Sequence, residues 1–451
     1  MKYLLPALAA FLACHHPPPP PPGPASSPEM AALDSVAAAT LAGSKAPGLA
    51  LAVDWHGRVV CKGYGFADRE KRIPVGCETV FRIGSLTKQF TAAAIMMLAH
   101  DGKLALEDPL TRFLPLPAGY RDVTLRHTLT HTSGIPSYTE MPWFQARQNE
   151  AIPRAELLQK VTAAPLEFQP GDRWSYSNSN YYLLGMVVET VSGMSYQDFV
   201  ARQVFPRAGL THTRYCPDRQ DYPRAAQGYS RTGGNASPLS MQNPFAAGAL
   251  CSTAGDLVRW AQALAAGKVV DESAWKQMTM RAPLARGLTA PYGFGLALAG
   301  FEKHPALVHA GGINGFSSSL AYYPADQLTI AVLVNMVGVP AMQPSNKIAR
   351  ALLGVPEMVA QDLPVTAAEL AALAGRYSFP AIKLVVEVSG DAAGLRVQQG
   401  HQPPRRLRSQ GGGVYLIPEV EARITFDMNG PRATAMKVVQ HGNELVGPRL
   451  P

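Results

Sequence analysis

The sequence holds no dense run of basic residues interleaved with aromatics, although its 41 Lys and Arg outnumber its 33 Asp and Glu. Nucleic acid is therefore not an expected partner. Five cysteines occur without a Cys-x-x-Cys pair, which removes the usual spacing of a metal or dithiol redox site. No glycine-rich phosphate loop or dinucleotide fingerprint follows a strand-like run, so no cofactor is implied. No repeat of solenoid or propeller period is found. The apolar stretch Leu4–Ala13 is too short for a mature membrane span. What is there is an ordinary globular balance, 47% apolar and 16% charged over 451 residues. That is enough chain for one large domain and a smaller one.

Lys2 followed by the short apolar core has the form of a bacterial secretion leader. Phe11-Leu12-Ala13-Cys14 resembles a lipobox with Phe11 in the usual leucine's place, which makes Cys14 a candidate lipidation site. Cleavage near Ala13 or Ala25 would instead give a soluble periplasmic product. Pro17–Pro22, and the chain on to Pro28, read as an extended tether. The expected location is exported, either periplasmic or lipid-anchored to the envelope, where the net charge of +8 suits an anionic polymer such as peptidoglycan. With Cys14 set aside, four cysteines remain for an oxidising compartment. Pairing Cys61 with Cys77 and Cys216 with Cys251 is expected, with free buried thiols as the alternative.

The strongest local signal is Ser85-Leu86-Thr87-Lys88 at the head of the apolar run Gln89–Ala99. On a helix, residues three apart share one face, so a weak nucleophile would lie beside an amine able to take its proton. The run is apolar nearly all round and predicts a buried helix ending at Asp101-Gly102. Ser85 alone reads as an ordinary N-cap. A lysine one turn into so apolar a helix must be paired or functional.

Around this helix, Met30–Leu41 predicts an alanine-rich helix, and Gly48–Val53 with Arg58–Cys61 a hairpin about Trp55-His56-Gly57. A mostly helical stretch follows from Leu104 to Leu264, with helices at Tyr182–Val191, Tyr196–Val204 and Gly255–Ala266. Strands return at Val308–His309, Ser317–Tyr323 and Leu328–Val334. The expected architecture is α/β, an antiparallel sheet of early and late strands flanked by helices, with an inserted helical lobe. Segments from Gly375 onward, rich in β-branched residues, predict a small antiparallel β-barrel or half-barrel. The expected organisation is leader and tether 1–28, catalytic body 29–353, linker 354–364 and accessory β domain 365–451.

Two further motifs stand beside Ser85-x-x-Lys88. Tyr176-Ser177-Asn178 precedes a lobe helix, and His309-Ala310-Gly311-Gly312 lies on a late strand. In this order the set resembles the serine β-lactamase and penicillin-binding-protein superfamily. Within it the chain is similar to the branch of class C β-lactamases, D-Ala-D-Ala carboxypeptidases, D-aminopeptidases and β-lactamase-like esterases. Phe81-Arg82-Ile83-Gly84, Leu125–Pro136 with its His131-Thr132-Ser133-Gly134, Gly248–Thr253 and Tyr292-Gly293-Phe294-Gly295 extend the likeness. His127 and His131 are spaced i,i+4 but lack the glutamate of a zinc helix, so no metal is expected.

The resemblance implies an envelope serine hydrolase working through an acyl-enzyme at Ser85 on D-amino-acid peptides, esters or β-lactams. Lys88 is then the candidate base, and Tyr176 the relay that protonates the leaving group. Asn178, His309 and Gly311 would contact substrate, and the amides of Ser85 and Gly312 would form the oxyanion hole. Class C β-lactamases place Lys-Thr-Gly where this chain has His309-Ala310-Gly311. That exchange removes a permanent cation and shifts the expectation towards a peptidase or esterase. The alternatives are a small-ester carboxylesterase and a non-catalytic penicillin sensor or peptidoglycan-binding protein.

Overall fold

The computed structural model describes residues 27–451 apart from 220, 302, 383, 392–393, 401–402 and 441–442. The leader, Cys14 and nearly all of the proline tether lie outside the described residues. Helix α1 spans Pro28–Ala42, capped by the Ser27 side chain on the Met30 amide. Strands β1 (Gly48–Trp55) and β2 (Arg58–Asp68) form the expected hairpin. Its two-residue turn needs left-handed backbone, supplied by His56 at φ 52° and Gly57 at φ 81°.

Strands β3 (Ile73–Pro74), β4 (Phe81–Arg82), β5 (Arg214–Tyr215) and β6 (Leu250–Ser252) are short. Strands β7 (Ala282–Pro283) and β8 (Thr289–Ala290) pair as a small hairpin. Then come β9 (Ala297–Phe301), β10 (His304–Ile313), β11 (Phe316–Tyr323) and β12 (Leu328–Val334). The main sheet has the antiparallel order β3-β2-β1-β12-β11-β10-β9, so early and late strands pair as predicted.

Side-chain alternation explains how helices cover both faces. Leu49, Leu51 and Val53 of β1 pack with Leu33 and Val36 of α1 and with Ile348 and Leu352 of the helix Met342–Leu353. Ala50 and Ala52 face the other way, into the cluster holding Phe90, Leu257 and Trp260. Small residues there let the helices lie close. The helical lobe between β4 and β9 adds to this second cluster, which leaves the cleft at the lobe boundary.

Beyond the main sheet, the barrel-like region expected at the C-terminus is two antiparallel sheets. One has four strands from Gly375–Phe379 to Arg405–Arg406, the other five from Arg408–Ser409 to Asn443–Pro448. They share the core of Tyr377, Leu395, Ile417 and Met436. No closed barrel forms among the described residues. The chain leaves one sheet for the other at Leu407, and the first and last strands meet by the single bridge Tyr377–Arg449.

Candidate active site

Ser85 stands on one 3-10 turn, Gly84–Leu86, and helix α2 runs from Thr87 to His100. The helix therefore starts two residues later than the sequence suggested. The tight entry depends on Gly84 at φ 51°, where a side chain would also crowd the Gly312 backbone at 3.0 Å. Residues Thr87 to Leu98 of α2 are all buried. Trp260 stacks on Phe90 and donates its indole N–H to Gln89.

Lys88 is fully buried. Its Nζ lies 2.7 Å from Asn178 Oδ1, 2.8 Å from the Ala247 carbonyl and 3.1 Å from Ser85 Oγ. Burial, with no acidic group among the described residues to offset it, holds its pKa well below the ordinary lysine value. The contacts fit a neutral amine. Its two hydrogens go to the two carbonyl-type oxygens, and its lone pair is left for the Ser85 hydroxyl.

Tyr176 lies with its ring centroid 4.9 Å from the same Lys88 Nζ. Burial raises its phenol above the ordinary range, while a hydrogen bond with the Ser85 side chain pulls it back down. It is a neutral phenol at neutral pH, a proton donor in waiting. The backbone around it is pinned throughout. The Trp174 amide donates to the Ala381 carbonyl at 2.8 Å, and the Ser175 amide to the His131 carbonyl at 3.0 Å. The Ser177 amide donates to His131 Nδ1 at 3.2 Å, and the Asn178 amide to Ser137 Oγ at 3.1 Å. Asn178 opens the helix Asn178–Ser192, and its Nδ2 donates to Thr139 Oγ1 at 3.0 Å.

His309 and Gly311 point into the body of the protein from β10, whereas Ala310 and Gly312 are exposed. His309 is neutral. Its Nδ1 must donate to the Ala310 carbonyl at 2.7 Å, so Nε2 accepts from the Tyr292 hydroxyl at 2.8 Å. Burial and nearby Lys88 push its pKa down to about 3. A side chain on Gly311 would collide with the Ile83 carbonyl at 2.1 Å, so this glycine lets β10 close on the strand leading to Ser85. Gly312 sits beside Gly84, past the end of the pairing with β9 at Val308–Ala297. The last residues of β10 thus present an unpaired edge towards the cleft.

The cleft at Ser85 holds about 230 Å³ and is lined by Tyr138, Phe144, Leu239, Gln148, Asn314 and Gly312, among others. No charged side chain among the described residues belongs to that lining. Ser85, Lys88, Tyr176, Asn178 and Gly312 meet there or directly behind it. The four remaining cysteines stand away from the chemistry as Cys61–Cys77 and Cys216–Cys251 disulfides. His127 caps its own short helix by closing a box with Thr124, whereas His131 lies in the ring cluster around Tyr176. Sequence reasoning assigned no role to His131, Tyr292 or Ala247. The first two sat inside stretches already noted, but a carbonyl such as that of Ala247 carries no side-chain signal.

Residues 33–354 match the family model described as Beta-lactamase. The chain belongs to the beta-lactamase family. It has the fold of that family, with penicillin-binding-protein and D-aminopeptidase homologues. Penicillin-binding protein 4* of Bacillus subtilis (strain 168) is 32% identical over 295 residues, 60% of this chain and 64% of that protein. D-aminopeptidase of Gluconobacter oxydans (strain 621H) is 26% identical over 331 residues, 72% of this chain and 62% of that protein. The chain therefore spans less than two thirds of these relatives' length. The octameric penicillin-binding protein homologue from Pyrococcus abyssi superposes with a TM-score of 0.64 at 26% identity. That match covers 92% of this β-lactamase-family chain and 99% of the other, the C-terminal sheets included.

Proposed function

We propose that this β-lactamase-family protein hydrolyses uncharged amides and esters, D-amino-acid peptides among them, through an acyl-enzyme at Ser85, with β-lactams as poorer substrates. The observation that carries the reading is the buried Lys88 Nζ, 3.1 Å from Ser85 Oγ and held there by the Asn178 side chain and the Ala247 carbonyl. In acylation the Ser85 proton passes to Lys88 as Oγ attacks the carbonyl carbon. The developing oxyanion is received by the amides of Ser85 and Gly312, each donor worth about 3 kcal/mol. Tyr176 gives its proton to the leaving group and recovers one from Lys88. Water then repeats the attack on the acyl-enzyme with the same groups.

The substrate preference rests on charge. Among the described residues, a β-lactam or a peptide ending in a free carboxylate finds no cation in the cleft lining, and His309 is held neutral between Tyr292 and Ala310. A free α-ammonium finds no carboxylate among the described lining residues either. The small-ester reading gains from the same neutrality. Export and lipid attachment at Cys14, which would hold the protein beside peptidoglycan, belong to the proposal too. Membrane partitioning that survives Cys14→Ser would count against that anchor.

The test is turnover and intact-protein mass spectrometry with three probes, each beside Ser85→Ala. They are a penicillin, a p-nitrophenyl ester, and N-acetyl-D-Ala-D-Ala as free acid and as amide. Serine-dependent turnover that is fastest for ester and amide is expected. A stable penicillin adduct without turnover of any probe would replace this reading with a penicillin sensor.

A further inference from the structure

His131 occupies a place that neither packing nor helix capping accounts for. Its side chain is fully buried, yet its backbone sits at φ 59°, a left-handed conformation that costs a non-glycine residue energy. From that position it brackets Tyr176. Its carbonyl accepts the amide before the tyrosine, from Ser175 at 3.0 Å, and its Nδ1 accepts the amide after it, from Ser177 at 3.2 Å. Asn180 Nδ2 reaches the same Nδ1 at 3.2 Å, with the Asn180 carbonyl oxygen taken by Ser133 Oγ at 2.7 Å.

Two donors converging on Nδ1 assign the ring proton to Nε2. That N–H has no hydrogen-bond partner among the described residues. It lies among the rings of Tyr176, Tyr292 and Tyr181, with centroids 4.4, 4.8 and 5.2 Å away. The imidazole is thus a rigid neutral wedge against the face of the tyrosine whose hydroxyl meets Ser85.

Resting on the Ser85–Lys88–Tyr176 reading above, we infer that His131 is the positioning residue that aims the Tyr176 hydroxyl at the leaving group. The strained backbone serves that purpose. In this conformation the carbonyl and Nδ1 of one residue reach the amides on both sides of Tyr176. The consequence is selective. A p-nitrophenolate leaves without a proton, whereas an amine must be protonated as it departs. Misplacing the phenol therefore slows amides more than activated esters.

The experiment compares His131→Asn and His131→Gly in the full-length protein. Both residues tolerate left-handed backbone, but only Asn keeps an acceptor near the Nδ1 position. Each is assayed for kcat and KM on an N-acyl-D-alanine p-nitrophenyl ester and on the matching p-nitroanilide, with thermal unfolding alongside. Tyr176→Phe serves as the reference pattern. His131→Gly is expected to lower anilide kcat about a hundredfold, the scale of a small misplacement of a catalytic group. The ester should fall far less, KM should change little, and His131→Asn should recover most of the loss. Equal losses on both substrates in His131→Gly, or no recovery in His131→Asn, would overturn the inference. Equal losses in Tyr176→Phe itself would instead remove the acid role of Tyr176, and this inference with it.

Discussion

The Tyr292 hydroxyl donates to Nε2 of His309 across 2.8 Å, so the residue standing where class C enzymes carry lysine is turned onto a phenol rather than into the cleft. The pair has a stability consequence. His309 stays unprotonated in the folded protein down to about pH 3, mainly through burial, whereas an unfolded histidine takes up a proton near pH 6.5. Between those values the unfolded chain binds one proton more, and stability falls as the solution is acidified. The contribution is whole above pH 6.5 and is lost at about 1.4 kcal/mol per pH unit as pH drops towards 3. His131, lowered in the same direction, adds to the slope. His309→Gln should flatten the acid limb measured by urea unfolding at pH 7, 5.5 and 4, and an unaltered limb would contradict this account.

Lys88 carries the same sign at the alkaline end. Burial keeps its amine unprotonated over a range where unfolded lysine, near 10.4, is still charged. Stability should therefore rise with pH until the unfolded lysine titrates, and Lys88→Met should lack that rise. The same variant should lose acylation about 10²- to 10⁴-fold, the usual share of a positioned base. Wild-type kcat/KM should fall at acid pH as Lys88 gains its proton. A Lys88→Met protein with wild-type burst kinetics would exclude this amine as the base.

Much of this was legible in the chain. The Ser85 and Lys88 pair, the Trp55–Arg58 hairpin and the order of strands around the lobe follow from spacing, turn residues and alternation. Other features were hidden because they depend on backbone groups from remote segments. The Ala247 carbonyl that completes the Lys88 site is 159 residues away, and nothing in its side chain announces it. The direction of His309 was hidden too, since a one-residue change of strand phase would have turned it into the cleft. At the C-terminus, alternation gave the strands, but only pairing across Leu407 decides between one barrel and two sheets.

The C-terminal sheets also reach the catalytic body. The Ala381 carbonyl accepts from the Trp174 amide, two residues before Tyr176, and the two side chains join the small cluster of Ala282, Leu284 and Ala290. Asn443 donates to the Leu298 carbonyl, and Glu421 pairs with the half-buried Arg350 at 3.2 Å. Ending the chain after Gly354 should leave the main sheet folded but free the Tyr176 segment at its outer end. We expect kcat on an anilide substrate to drop about tenfold or more, with a red shift of Trp174 fluorescence as it meets water. An untouched kcat would confine the C-terminal sheets to another task.

The two disulfides differ in what they brace. Cys61–Cys77 closes a separation of 16 residues at the edge of the main sheet, and Cys216–Cys251 one of 35. Loop-closure entropy assigns them about 3 and about 4 kcal/mol respectively. Cys251 lies on β6, whose partner β4 is the strand that delivers Ser85, and Ile83 donates to the Leu250 carbonyl beside it. Cys216→Ser with Cys251→Ser should therefore lower the unfolding midpoint more than the Cys61 and Cys77 double variant. It should also lower the acylation rate at temperatures well below that midpoint, because the strand that sets Ser85 loses its outer brace. Thermal unfolding and burst kinetics on both double variants, with reductant-treated wild type as the common reference, measure the two effects separately. Equal midpoints, or a normal burst in the Cys216 and Cys251 variant, would show that β6 is held by its backbone pairing alone.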